Sequence, residues 1–160
     1  MIKIRSVVIL LVILILPACQ SKIDITKLEQ ELLELHYKTI QAHLDKNPDF
    51  FIQNISDDYM QVHNGDFLYP QKEEIQDMFV HYLNNTDFII YEDLAKPIIK
   101  VSNDGSLGWT IVQVRVKGKQ KSELDSTKIF DNTFAWITLY ERTNNQWIRL
   151  GEVDNYKINE

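Results

Sequence analysis

The run of long strand patterns that ends the chain constrains the fold most. Segments rich in Val, Ile, Thr and aromatic residues predict strands at Leu107–Gly118, Thr127–Arg142 and Gln146–Tyr156. A polar connection (Lys119–Ser126) and an Asn-containing turn (Thr143–Asn145) separate them. Strands that follow one another in a run, instead of alternating with helices, are typical of an antiparallel sheet in an α+β fold.

The first part of the chain predicts three helices around a hairpin. Thr26, with Glu29 three residues later, has the pattern of a capping box and predicts a helix that runs to about Asp45. One wide arc of that helix is apolar and includes His36 and His43. The other elements predicted before Leu107 are a short helix at Asp49–Ile55, strands at Asp58–His63 and Phe67–Tyr69, a helix at Gln71–Asn84, and strands at Phe88–Asp93 and Lys96–Val101.

This element order predicts one α+β domain. Long bent strands that follow helices predict a curved antiparallel sheet wrapped around the N-terminal helix, in the form of a cone with an internal cavity. The high aromatic content, with seven Phe, seven Tyr and three Trp, suits large side chains on a curved sheet.

The only cysteine, Cys19, follows the unbroken apolar run Val7–Leu16. Lys3 and Arg5 precede that run, which is the order of a secretory signal peptide. As a helix, the run would span about 15 Å, roughly half of a bilayer core, and is too short for a transmembrane helix. A cysteine without a partner forms no internal disulfide, so an attachment point is the favoured interpretation.

The stretch LPAC at residues 16–19 resembles the bacterial lipobox, with Pro17 a departure at its middle position. The resemblance implies cleavage before Cys19 and attachment of a diacylglyceryl group to its thiol. Two or more acyl chains give stable membrane anchoring. An ordinary secretory peptide with an incidental cysteine is the alternative.

The lipobox resemblance divides the chain into a signal peptide (1–18), a lipidated cysteine with a tether (19–25) and one domain (26–160). It implies a location in the cell envelope, facing the periplasm or the exterior. Gln20 after the cysteine favours the outer membrane if the host is Gram-negative. The membrane, through the lipid on Cys19, is thus an expected partner.

Charge and motifs exclude several other partners. The 23 acidic residues outnumber the 17 basic ones, and an acidic surface opposes binding to nucleic acid. The chain contains no nucleotide-binding or zinc-protease motif, and its four histidines have no metal-ligand spacing. We therefore expect no cofactor and no metal site.

Three local patterns support a family resemblance over about residues 26–157. They are NPD at 47–49 with the acidic pair 57–58, VHNG at 62–65, and WIRLGE at 147–152. With the element order, they resemble the nuclear transport factor 2-like superfamily in its SnoaL-like and DUF4440-like branches, where the fold is a cystatin-like roll. VHNG is one residue shorter than the family turn, and Glu152 stands where His is common. The resemblance implies a fold and no single activity, because this superfold contains isomerases, cyclases, hydrolases, dehydratases and binders.

Three residues are candidates for acid–base chemistry. His63 ends a strand beside a turn, and histidine is a common acid–base residue in catalysis. Glu152 and Asp154 share a face of the last strand, and period-2 alternation adds Ile148, Leu150 and Tyr156 to that face. If the face is concave, a buried carboxyl could act as a general base. If it is outer, both are solvated charges, and His63 equally suits an exposed turn.

Five further residues are candidates for ligand contact. His36 lies on the inner arc of the first helix, and Asn132 shares a strand face with aromatic residues. Each also fits a plain structural role in a core or a sheet. The candidate ligand-binding residues are His36, Tyr59, Trp109, Asn132 and Trp136.

Three functions therefore compete. The favoured one is a lipid-anchored module that binds a small apolar or amphipathic molecule in its conical pocket. The second is a metal-independent isomerase or dehydratase that uses His63 with Glu152 or Asp154. The third is a homodimeric interaction protein with a vestigial pocket and an exposed apolar sheet face.

Overall fold

The computed structural model describes residues 23–121 and 126–159. Its elements follow the predicted order with shifted ends. The helices are α1 (Ile25–Leu44), a short 3₁₀ helix (Pro48–Ile52) and α2 (Lys72–Asn84). The strands are β1 (Ile55–His63), β2 (Asp66–Leu68), β3 (Thr86–Asp93), β4 (Ile98–Val101), β5 (Leu107–Lys121), β6 (Thr127–Thr143) and β7 (Gln146–Ile158). The predicted signal peptide, Cys19 and the first residues of the predicted tether lie outside the described residues.

The cap of α1 differs from the prediction. Asp24 is the N-cap, and its carboxylate accepts the Lys27 backbone N–H at 3.0 Å. Thr26 lies inside the helix, so the predicted Thr26–Glu29 capping box is wrong. Asp and Thr are both good caps, and the sequence offered both within three residues. The second predicted helix is also shorter and begins at Pro48, because β1 already starts at Ile55.

One curved sheet of seven strands carries the fold. Its order is β2-β1-β7-β6-β5-β3, and β4 also pairs with β5. The antiparallel sheet predicted from β5–β7 is confirmed, with one exception elsewhere: β1 pairs with β7 in parallel. These two strands are far apart in sequence, so no hairpin sets their relative direction.

A β-bulge in β7 changes which side chains face inward. Leu139 pairs with Gly151, but the next residue of β6, Tyr140, pairs with Arg149, so Leu150 has no partner on β6. An extra residue on one strand reverses the alternation of faces beyond it. The prediction that Ile148 and Leu150 share a face with Glu152 is therefore wrong, and Arg149 takes that place.

The helices pack on the concave side of the sheet and fill it only in part. Leu28 and Leu32 of α1 pack with Val101, Tyr140 and Trp147 at the end of the sheet that carries the β6–β7 turn. Two further clusters, around Phe51 and Ile75, join the 3₁₀ helix and α2 to the rest of the domain. A space remains between these clusters and the middle of the sheet. Across both described ranges, no helix combines the length and apolarity needed to span a membrane.

Candidate functional site: a cavity inside the curved sheet

The space between the sheet and the helices is a cavity of about 370 Å³. Sites for small molecules have volumes of about 300–1,000 Å³, so it has room for a small organic ligand. The β6 side chains that line the cavity become less buried from Tyr140 back towards Phe134. Tyr140 and Thr138 are only 7% and 2% exposed, whereas Trp136 and Phe134 are half-buried. The cavity therefore has a closed end near Tyr140 and an open end near Phe134.

One wall is apolar and aromatic. It consists of Phe51 from the 3₁₀ helix and Ile75, Met78, Phe79 and Tyr82 from α2. The rings of Phe51 and Phe79 are stacked, with centroids 3.8 Å apart. Met78 is 50% exposed and lies where this wall reaches solvent. This wall suits the apolar body of a ligand.

The inner face of α1 contributes two buried histidines to the cavity. His36 donates from Nε2 to Asp93 Oδ1 at 2.9 Å. His43 donates from Nδ1 to the Thr39 carbonyl at 2.8 Å, and its Nε2 lies 3.4 Å from the Tyr91 hydroxyl. Burial lowers the pKa of His43 to about 4, so its ring is neutral at pH 7. His43 was not among the candidate ligand-binding residues, although its place on the apolar arc of the helix was the available signal.

The opposite wall carries a row of polar residues on β7. Arg149, Glu152 and Asp154 all line the cavity, from its closed end towards its open end. Glu152 accepts the Thr138 hydroxyl at 3.2 Å, and burial raises the pKa of its carboxyl group. Asp154 accepts from His63 Nδ1 at 2.7 Å and from Gln61 Nε2 at 3.5 Å.

His63 lies at the rim and does not line the cavity. Its side chain is 36% exposed. Its Nε2 accepts the Asn64 amide at 2.9 Å, and its ring is parallel to that of Tyr156. The structure thus brings His63 against Asp154, and Asp154 lies beside Glu152 on one face of β7. Whether the three act as acid and base stays a prediction.

Arg149 is a residue of this wall that was not among the predicted site residues. Its guanidinium lies over the Tyr59 ring, 5.4 Å from the centroid, and donates to the Phe51 carbonyl. Arg115 and Arg142 form ion pairs with Asp131 and Glu31. Within the described ranges, Arg149 has no carboxylate oxygen within 4.0 Å. No sequence signal pointed to it, because regular alternation places it on the outer face.

The candidate ligand-binding residues divide into two groups. His36, Tyr59 and Trp136 line the cavity, whereas Trp109 and Asn132 do not. Trp109 lies on the outer face of β5, because its neighbours Gly108 and Thr110 face the helices and are buried. Asn132 lies on β6 two residues before Phe134. Phe134 is the β6 residue at the open end of the cavity, so Asn132 lies outside the lining. Within residues 23–121 and 126–159, no three His, Cys, Asp or Glu residues are placed to hold a metal ion.

Solved structures share this architecture. An NTF2-like protein from Cytophaga hutchinsonii is 14% identical, with a TM-score of 0.62 over 79% of this chain and 95% of that chain. A Nostoc punctiforme protein of unknown function with a cystatin-like fold is 10% identical, with a TM-score of 0.58 over 81% and 90%. A chain from Exiguobacterium sibiricum, named for a calcium/calmodulin-dependent kinase II association domain, is 12% identical, with a TM-score of 0.59 over 81% and 95%. No protein-family model and no curated protein sequence matches the chain.

The fold and the cavity define a class: α+β rolls in which a curved sheet and a long N-terminal helix enclose an internal pocket. Within that class, the chain has the NTF2-like fold, as the predicted resemblance implied. The likeness is one of fold alone, since identities of 10–14% carry no residue-level function. The SnoaL-like or DUF4440-like branch stays a prediction.

Proposed function

We propose that this domain binds a small amphipathic molecule in the cavity between its sheet and its helices. The observation that carries the proposal is a cavity of about 370 Å³ with one aromatic wall, one polar wall and one open end. A pocket that is mostly apolar with a few convergent polar groups is the usual form of a small-molecule site. The polar groups are Arg149, Glu152, Thr138 and Asp154.

Native mass spectrometry of residues 20–160, which contain every described element, tests this proposal. Whole chains that consist almost entirely of this fold are known, since 95% of the Cytophaga chain is covered, so this segment should fold alone. We expect a native mass that exceeds the denatured mass by the mass of a small ligand. Thr110→Phe, which places a ring in the cavity, should abolish the excess. Gln113→Phe on the exposed face of the same strand should not.

Equal native and denatured masses would contradict binding of a ligand from the expression host. Retention of the excess in Thr110→Phe would place the bound molecule elsewhere. The released molecule, identified after denaturation, would define the ligand class.

A second candidate function, homodimerisation, rests on the outer face of the sheet. Ile98, Ile111, Ile137 and Val153 pair in register across β4, β5, β6 and β7. Three of them are well exposed, at 53% for Ile98, 37% for Ile137 and 41% for Val153. A continuous exposed apolar row of this kind is typical of an interaction surface. The same native spectra report the mass of the assembly, and a monomer mass at micromolar concentration would contradict this candidate.

Catalysis has weaker support. His63 bonds Asp154 but lies outside the cavity lining, so a substrate in the cavity would contact the carboxyl groups and not the imidazole. The isomerase or dehydratase hypothesis therefore stays a prediction from the sequence.

We also propose that the domain is anchored in the cell envelope by a lipid on Cys19. Support comes from the sequence: Lys3, Arg5, the apolar run Val7–Leu16 and the lipobox-like LPAC. Metabolic labelling of the full chain with tritiated palmitate in a bacterial host tests it. We expect label in the wild type and in Ser21→Ala and none in Cys19→Ser, because Cys19 is the only thiol in the chain. Label that persists in Cys19→Ser, or an unlabelled wild type, would overturn the proposal.

A further inference from the structure

We propose that the cavity selects ligands with a carboxylate head, held by the guanidinium of Arg149, on an apolar body. This inference rests on the proposed ligand-binding function and names the chemical class of the ligand. The cavity volume of about 370 Å³ lies near the lower end of the range for small-molecule sites, which suits a small ligand.

The first argument is that, among the described residues, Arg149 has no carboxylate oxygen within 4.0 Å. A charge that loses part of its contact with water is normally paired, and Arg115 and Arg142 each form an ion pair in the described part of this chain. Arg149 does not. A guanidinium has five N–H donors in a planar fork that matches the geometry of a carboxylate. In residues 23–121 and 126–159, the one hydrogen bond of the Arg149 guanidinium goes to the Phe51 carbonyl, so several donors remain for a ligand.

The second argument is that both nearby carboxyl groups already accept hydrogen bonds from the protein, Glu152 from Thr138 and Asp154 from His63 and Gln61. Both oxygens of Asp154 already accept hydrogen bonds, from His63 and from Gln61. Burial raises the pKa of Glu152 and the charge of Arg149 lowers it, so burial works against the negative charge that would oppose an anionic head. The polar wall therefore offers the guanidinium of Arg149 beside two carboxyl groups that already have hydrogen-bond partners in the protein.

The third argument is that Arg149 lies at the closed end of the cavity and the aromatic residues lie between it and the opening. Arg149 on β7 lies opposite Tyr140 on β6 at the closed end of the cavity. The half-buried Phe134 and Trp136 lie at its open end. The stacked pair Phe51 and Phe79 faces the space between them. A ligand that enters with its head first places its carboxylate at Arg149 and its apolar body against the aromatic wall.

Isothermal titration calorimetry with matched probes tests the inference on residues 20–160, after release of any bound molecule. Decanoate, decan-1-ol and decylamine share an apolar body and differ in their heads. A charge-assisted hydrogen bond contributes more than a neutral one, so decanoate should bind about tenfold tighter than decan-1-ol or better, and decylamine should bind weakest. 2-Naphthoate and naphthalene-2-methanol repeat the comparison with an aromatic body, and a preference for either carboxylate over its own alcohol supports the inference.

The variants connect the preference to one side chain. Arg149→Gln should remove the preference for decanoate while decan-1-ol still binds, which shows that the cavity remains folded. Arg142→Gln, which removes an arginine already paired with Glu31, should keep the preference. Equal affinities of acid and alcohol in the wild type would overturn the inference and leave the ligand-binding function standing. Failure of all the probes to bind would overturn both.

Discussion

Acidification from pH 7 to pH 4 should destabilise the domain by about 3 kcal/mol through His43 alone. The pKa of His43 is lowered from 6.5 to about 4 in the folded state, mainly by burial. Between these two values the unfolded chain binds a proton at His43 that the folded chain does not. The free energy of unfolding therefore falls as the pH drops below 6.5. Above pH 6.5 the imidazole is neutral in both states and has no effect.

Urea unfolding at several pH values measures this loss. His43→Phe should reduce the fall in the free energy of unfolding between pH 7 and pH 4 by about the same 3 kcal/mol. A ring is suitable there, because Phe51 and Phe88 already pack edge-on against His43. His81→Phe is the matched control, since His81 is exposed on α2 and its replacement should leave the pH dependence unchanged. Parallel pH curves for the wild type and His43→Phe would refute the assignment.

Replacement of Gly151 by alanine should cost about 2–3 kcal/mol, the upper part of the usual range for overpacking. A Cβ atom at Gly151 would lie 2.6 Å from the carbonyl oxygen of Met60. That oxygen belongs to the backbone of β1, so no side-chain rotation relieves the contact, and β1 must move away from β7. Their parallel pairing holds Gln61 and His63 against Asp154.

The cost of Gly151→Ala is the shift in the free energy of unfolding measured with urea at pH 7. Asn155→Ala on the same strand is the control. Asn155 is exposed, so its replacement should change stability by no more than about 0.5 kcal/mol. If both variants unfold at the same urea concentration as the wild type, β1 and β7 are not in the close contact described here.

Element order and fold class were predictable because they depend on local patterns. Helical periodicity predicted α1, and the Asn64-Gly65 pair predicted the tight turn between β1 and β2. The long strands that end the chain identified the sheet and, with the helices before it, the α+β roll that the NTF2-like structures share. The place of His36, Tyr59 and Trp136 in the cavity was also predictable from the sequence, because each lies on the face that regular alternation or helical phase predicts.

The polar wall of the cavity was decided only by tertiary structure. Period-2 alternation along β7 places Arg149 on the face opposite to Glu152. Pairing of β7 with β6 on one side and β1 on the other leaves Leu150 as an extra residue, and this bulge brings Arg149 and Glu152 into the same cavity. The register of a strand depends on both of its neighbours, and β1 lies almost a hundred residues away in sequence. The sequence alone thus determined that the chain forms a curved sheet over a long helix, whereas long-range strand pairing decided which charges face the space between them.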